Sequence, residues 1–202
     1  MSLLPVFLNL RGERAVVIGG GAVALRRTRT LLDAGLLVTV VAPEVCAGLL
    51  VLPVRLERRP YQEGDLIGAR LVIAATDDSD INAAITAEGH RRGILINHAG
   101  EAEAGNLRFA ATAGRAGVQV AVSSGRELPM LGQALTRRIA ELLPTQAQMD
   151  GWALARECAL TLDGPAREAA MQELKADISA ALDSNLRQDS PLDLPVAVGG
   201  AA

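Results

Sequence analysis

A triple glycine directly behind an aliphatic run constrains this chain more than any other feature: Ala15-Val16-Val17-Ile18 passes straight into Gly19-Gly20-Gly21-Ala22-Val23-Ala24. The run has the length and composition of a buried strand. In the segment that follows, Ala24, Thr28, Leu31 and Leu32 share one helical face while Arg26, Arg29 and Asp33 point the other way, and Gly35 supplies the stop. Strand, glycine turn and helix in that order fit G-x-G-x-x-A, the fingerprint of a dinucleotide-binding unit. Gly19 then permits the tight turn, Gly21 lets the backbone approach a pyrophosphate, and Ala24 allows the helix to lie close on the strand. The helix start offers unpaired N–H groups and the positive end of its dipole to phosphates at Ala22 and Val23. A glycine-rich turn that serves packing alone is the plain alternative.

Further strand-length runs follow at Leu36 to Ala42, Val54 to Leu56, Leu71 to Ala75 and Ile94 to Ile96, separated by helical or turn-like stretches. Such alternation predicts an α/β fold with a doubly wound parallel sheet. The style changes near residue 105, where Leu107 to Thr112 and Val118 to Ser123 bracket a turn at Gly114 to Gly117 and predict either a hairpin that extends the sheet or strands that cross into a dimer partner. Beyond Ser124 the chain reads as helical, with Leu128, Leu131, Leu135, Ile139 and Leu142 on one face. That stripe suits either self-association or packing within the chain. Residues 188–202 carry two prolines and end Gly-Gly-Ala-Ala, a composition that predicts a disordered tail.

Composition narrows the function classes. Only four aromatic side chains occur, Phe7, Tyr61, Phe109 and Trp152, and the formal charge is -3, so base stacking and a basic field are both missing and nucleic acid is not the expected partner. No apolar run approaches the roughly 20 residues of a membrane-spanning helix, and the opening residues lack the basic start of a secretory signal, so the expectation is a cytoplasmic protein without a membrane partner. Cys46 and Cys158 match neither a metal-ligand spacing nor a disulfide framework, and no metal is expected.

Two more stretches bear on a nucleotide. The acid that usually ends the second strand and grips a ribose is displaced here, the strand ending Val40-Val41-Ala42-Pro43-Glu44. Glu44, or the backbone around Pro43, takes its place, or Glu44 is a solvated helix-start residue. No arginine adjoins it in sequence, which favours NAD over NADP. Ala74-Ala75-Thr76-Asp77-Asp78 closes the fourth strand, where ligands of doubly wound sheets collect, so Thr76 and Asp77 are nucleotide neighbours, caps for a helix beginning near Asp80, or both.

Several segments together resemble the dehydrogenase family that includes precorrin-2 dehydrogenase and the N-terminal part of sirohaem synthase. They are Leu4-Pro5-Val6-Phe7-Leu8-Asn9-Leu10-Arg11, Val17 to Arg27, Val38 to Pro43, Asp65 to Ala69, Leu71 to Asp78 and Ala121 to Gly125, in the family's order and spacing over about residues 3 to 143. The resemblance implies a Rossmann-like NAD-binding domain over 1–112, a dimerisation region over 113–145 and a helical tail domain over 146–187. It further implies a homodimer, a tetrapyrrole substrate and NAD-dependent oxidation of precorrin-2 to sirohydrochlorin, to which some members add insertion of ferrous iron. Carried over by position, cofactor contacts are Gly19, Gly21, Ala22, Val23, Ala24, Pro43, Glu44, Thr76 and Asp77.

The substrate side departs from the family pattern. An N-x-x-D sequence is expected at the end of the fifth strand, but this chain reads Asn97-His98-Ala99-Gly100-Glu101, with glycine where the aspartate belongs. Glu101, one position on and one methylene longer, is the candidate catalytic base, and His98 is the other. Leu107-Arg108-Phe109-Ala110 replaces F-x-x-P, and Arg126-Glu127-Leu128-Pro129 replaces G-K-S-P. A polycarboxylate substrate calls for guanidinium groups, and Arg108, Arg126 and Arg137 sit in regions the family places around its cleft. Two other functions stay open: a family member that binds NAD or tetrapyrrole without turnover, and an NAD-sensing Rossmann module of the kind found in potassium transport systems.

Overall fold

The structure, a computed structural model, describes residues 3–124 and 128–188. The chain divides into two compact units, which meet in sequence between Phe109 and Ala110.

The first unit holds five parallel strands. Strands β1 (Arg14–Ile18), β2 (Leu37–Val41), β3 (Arg55–Glu57), β4 (Leu71–Ala74) and β5 (Leu95–His98) form one sheet in the order β3-β2-β1-β4-β5. Helices α1 (Ala22–Asp33), the short α2 (Ala47–Leu50) and α3 (Ser79–Arg92) make the crossovers. Side chains on one face of the sheet, among them Ala15, Val17, Val40 and Ile73, pack with Ala24 and Leu31 of α1. Those on the other, Val16, Ile18, Val72 and Ala74, pack with Ile85 of α3. Burial on both faces explains why these strands read as continuous apolar runs. This is the doubly wound α/β architecture predicted from the sequence.

Helix boundaries follow local chemistry. Gly35 takes φ +80° just past α1 and its N–H reaches Leu32 O at 2.8 Å, as a helix stop requires. The cap of α3 is Asp78, whose carboxylate accepts from the N–H groups of Asp80 (2.9 Å) and Ile81 (3.0 Å). Thr76 and Asp77 therefore do not cap that helix. His90, Arg91 and Arg92 lie in its last turn, where positive charge meets the negative end of the dipole.

In the second unit, β6 (Ala111–Arg115) and β7 (Val118–Val122) form a hairpin, but as a two-stranded sheet of their own rather than an extension of the first sheet, and the first strand starts four residues later than Leu107. Residues Asn106 and Leu107 belong to the end of β5 instead: Asn106 Oδ1 accepts from Ile96 N–H at 2.7 Å and Leu107 N–H donates to Ile96 O at 2.9 Å. The turn is Ala116-Gly117, both with positive φ (51° and 81°), the two-residue geometry that suits strand twist and pins Arg115 opposite Val118. Helix α4 (Pro129–Leu142) starts on its proline, α5 (Gln146–Leu160) starts on a reciprocal capping box between Thr145 and Gln148, and α6 (Gly164–Gln188) follows. On α4 the buried residues are Gly132 and Thr136, and Gly132 comes close to Ala111 of the hairpin. Leu128, Leu131 and Leu135 stay between 42% and 45% exposed, so this part of the stripe is left open by the described residues. Among the described residues no helix is long and apolar enough to cross a membrane. The tail expected to be disordered lies, beyond Gln188, outside the described residues.

Candidate dinucleotide site

All the strands of the first sheet point their carboxyl ends to one edge, and a cleft of about 880 Å³ opens there above β1, β2 and β4. Its floor is the β1–α1 turn. Gly19 has φ +129°, and a Cβ on it would drive into Ala75 O. Its N–H donates to Val41 O at 3.0 Å, so the turn hangs on β2. A Cβ on Gly20 would overlap Glu44 O, while Gly20 O accepts from Cys46 N–H at 2.8 Å. The middle glycine thus locks the turn to the loop after β2. Gly21 differs from both: its φ is -86°, and nothing lies within 4 Å of the place where a Cβ would be.

That open space faces the start of α1. Gly21 is the N-cap and has no side chain to bond the first-turn N–H groups, and no acidic residue sits in that turn. Free donors and the positive dipole end are left for an anion, and the open cradle at Gly21 fits a pyrophosphate. Ala24, fully buried beneath, holds the helix on the sheet and is not part of the cleft wall. Gly19, Gly21, Ala22, Val23, Pro43, Glu44, Thr76 and Asp77 all line the cleft.

The β4 side of the cleft is held by Asn82, which is 6% exposed. Its Oδ1 accepts from Thr76 N–H at 3.1 Å and its Nδ2 donates to Thr76 O at 2.9 Å, so one amide grips both backbone groups of Thr76. The β3 side carries Pro60 and Tyr61. The Tyr61 hydroxyl donates to Glu88, burial and that bond both raising its pKa. Burial alone would lift the Glu88 carboxyl, but bonds from Tyr61, Arg92 and Gly64 N–H together hold it below the usual range. Asp65 is held low chiefly by the two bonds it accepts from Arg59, at 2.9 and 2.7 Å. On α1, burial lowers the Arg27 pKa, and its guanidinium stacks 4.3 Å from the Phe109 ring centre.

The β5 edge is built differently. Asn97 is buried and its Nδ2 donates to Leu107 O at 3.0 Å, tying the outgoing chain back to the strand. His98, half-buried, accepts Glu101 N–H on Nδ1 at 2.8 Å, which places the proton of the neutral ring on Nε2. Glu101 itself is exposed, and neither it nor His98 lines the cleft. A Cβ on Gly100 would lie 3.7 Å from His98 Cε1, an ordinary contact. Arg108 sits 3.8 Å from Glu103, Arg137 is exposed on α4 in the other unit, and Arg126 lies outside the described residues.

Sequence reasoning missed Gly20, Asn82, Tyr61 and Glu88. It also weighed only the chain neighbours of Glu44. Ala42 N–H donates to Glu57 O at 3.1 Å, which brings Arg58 and Arg59 to the same edge. Arg59 is committed to Asp65, whereas Arg58 is exposed and forms no ion pair among the described residues.

A family model described as "Putative NAD(P)-binding" matches residues 6–111, a stretch that contains this cleft and the β5 edge. The chain belongs to this NAD(P)-binding family. Relatives include a siroheme synthase of Chromobacterium violaceum, 43% identical over 71% of this chain and 32% of that protein. One from Methylococcus capsulatus is 35% identical over all of this chain and 48% of its own length. The chain therefore spans from about a third to about half the length of these curated relatives. Among solved structures, "SirC, precorrin-2 dehydrogenase" superposes with a TM-score of 0.70 at 23% identity, over 92% of this chain and 98% of that one. That likeness gives the NAD(P)-binding chain the same fold.

Proposed function

We propose that the chain dehydrogenates precorrin-2 to sirohydrochlorin with NAD, as a homodimer in the cytoplasm. One observation carries the cofactor half: an uncapped helix start faces a cleft at the carboxyl edge of a parallel sheet, with open space at Gly21. The likeness to proteins named siroheme synthase supports the substrate half. Gly19, Gly21 and the N–H groups of Ala22 and Val23 hold the pyrophosphate, Ala24 keeps the helix close, and Pro43 with Glu44 meets the adenosine ribose. Thr76 and Asp77 face the dinucleotide from β4. Glu44 favours a ribose hydroxyl over a phosphate, which supports NAD; exposed Arg58 makes the NAD-to-NADP preference the sensitive readout.

When bound, the nicotinamide supplies a hydride acceptor. Two hydrogens leave the macrocycle, one as hydride and one as a proton that must go to a base or to water. His98 has its Nδ1 engaged by Glu101 N–H and its Nε2 protonated, so the neutral ring has no free lone pair for that proton. We assign the role to Glu101, with His98 Nε2–H left to donate to a substrate carboxylate. Arg108, Arg126 and Arg137 supply guanidinium groups for the remaining carboxylates.

The test is anaerobic turnover of precorrin-2 and NAD, followed by NADH and sirohydrochlorin absorbance. Glu101→Gln is expected to lower kcat about a hundredfold. Gly100→Asp, for which the backbone has room, is expected to restore kcat in that variant. Full activity in Glu101→Gln would remove Glu101 from the mechanism. Absence of turnover in the parent, with NAD still bound, would instead make the chain a binding-only member of its family.

A further inference from the structure

One wall of the cleft is made by a segment with no regular structure. Pro60 and Tyr61 come three and four residues after the end of β3, and Tyr61 packs on the core that β1, β2, β4 and α3 share. Between Glu57 and Leu71 there is neither helix nor strand to hold them. Side chains do it instead. The Tyr61 hydroxyl and Gly64 N–H (3.1 Å) both donate to Glu88, which also takes Arg92 Nε at 2.7 Å. Arg59 clamps Asp65 through both guanidinium nitrogens, and Arg14 Nη2 donates to Asp65 O at 3.0 Å.

Glu88 is 1% exposed, in a helix whose neighbouring inward residue, Ile85, belongs to the apolar core. A charge so deep is weak evidence for stability, since a hydrocarbon of similar volume commonly does as well. What the carboxylate achieves is geometric: it fixes one phenol and one backbone N–H of a wall that no helix or strand supports. Because the hydroxyl is spent on Glu88, the part of Tyr61 left for the cleft is its ring. Ile81, which packs with Tyr61 on the same core, also lines the cleft. An aromatic ring and an aliphatic side chain, neither with a free polar atom, suit a planar aromatic base.

We propose that Tyr61 is the wall against which the purine base of the dinucleotide rests, and that Glu88 is the positioning residue that holds Tyr61 there. This rests on the dinucleotide reading above. The base is gripped by its face rather than its edge, in a cleft that His98 and Glu101 do not line. Changes here therefore act on dinucleotide affinity and not on the chemical step.

ADP-ribose, which carries the purine but no nicotinamide, is titrated by calorimetry and NADH by fluorescence, with folding followed by circular dichroism. Tyr61→Ala is expected to raise both dissociation constants about tenfold. Tyr61→Leu, which fills the space without an aromatic face, is expected to do the same and stands in should the alanine variant not fold. Glu88→Gln and Tyr61→Phe are expected to raise KM for the dinucleotide severalfold with kcat unchanged at saturation, the split a merely structural role would not give. A folded Tyr61→Ala or Tyr61→Leu with parental affinity for ADP-ribose overturns the inference alone. A parent protein that binds neither ligand overturns the dinucleotide reading and this inference with it.

Discussion

In the unit that ends at Phe109, all of β4 and four of the five residues of β1 are buried; in the unit that begins at Ala110, no residue of β6 or β7 is, and α4 buries only Gly132 and Thr136. The first unit wraps helices over both faces of its sheet and completes two apolar cores by itself. The second leaves Leu128, Met130, Leu131 and Leu135 between 42% and 71% exposed along one helix. A unit that closes its own core can carry a precise cleft on its edge, because the backbone under the cleft has no freedom to shift. A unit with an uncovered leucine face is incomplete until something covers that face, and a second copy is the occupant proposed above.

The largest effect that would break this contrast is at Gly20. Its absent Cβ is the space occupied by Glu44 O, so Gly20→Ala must push the β2–α2 loop away from the turn. We expect a loss of roughly 3 kcal/mol in urea unfolding, with dinucleotide binding lost as well. Gly21→Ala is the control one residue on: its φ is -86° and its Cβ meets nothing, so stability stays near parental while the added methyl, projecting into the cleft, weakens binding. Equal stability losses at the two positions would show that the cleft is not as rigid as its burial implies.

The same pair shows what could be read from the sequence. Gly19 and Gly21 declare themselves, because fingerprint spacing reports what the local turn needs. Gly20 does not, because the atom it makes room for is a carbonyl 24 positions on, which only the sheet order brings near. Asn82 and Glu88 were hidden for a related reason: on a helix they read as solvated polar residues, and their partners, the Thr76 backbone and Tyr61, come from other elements. The hairpin strand was placed early because Leu107 and Phe109 look like strand residues. The turn at Ala116-Gly117 and the hold of Asn106 on β5 decide the register instead. On the substrate side the sequence showed a missing aspartate at Gly100 but not the His98–Glu101 contact, which depends on how the chain leaves β5.

A second, intermediate effect is expected on α4. Glutamate at both Leu131 and Leu135 places charge on a face already open to solvent, so the fold of each chain changes by less than about 0.5 kcal/mol per site. Association should not survive it. Light scattering is expected to give a dimer for the parent and a monomer for the double variant, whereas a monomeric parent would mean that this face is covered by something other than a second copy.

The smallest effect separates the units by pH. Glu88 and Asp65 both have folded-state pKa values below their ordinary ones, so the unfolded chain binds more protons and stability rises with pH through that range. Their contribution is complete above the unfolded values, about 4, and is lost as pH falls through the lower folded ones. Tyr61 runs the other way. Its folded value is raised, so its contribution is complete below the unfolded value, about 10, and is lost as pH climbs toward the folded one. All three groups belong to the first unit. Hydrogen exchange followed from neutral pH down to about pH 3, corrected for intrinsic rates, should therefore show β4 and α3 losing protection first while α5 and α6 change little, and urea unfolding carried up to about pH 11 should show the alkaline limb. Glu88→Gln should flatten the acid limb and Tyr61→Phe the alkaline one. If either variant left both limbs as steep as in the parent, the coupling between these two side chains would be too weak to hold the cleft wall, and the contrast between a rigid nucleotide unit and a yielding helical one would have to rest on burial alone.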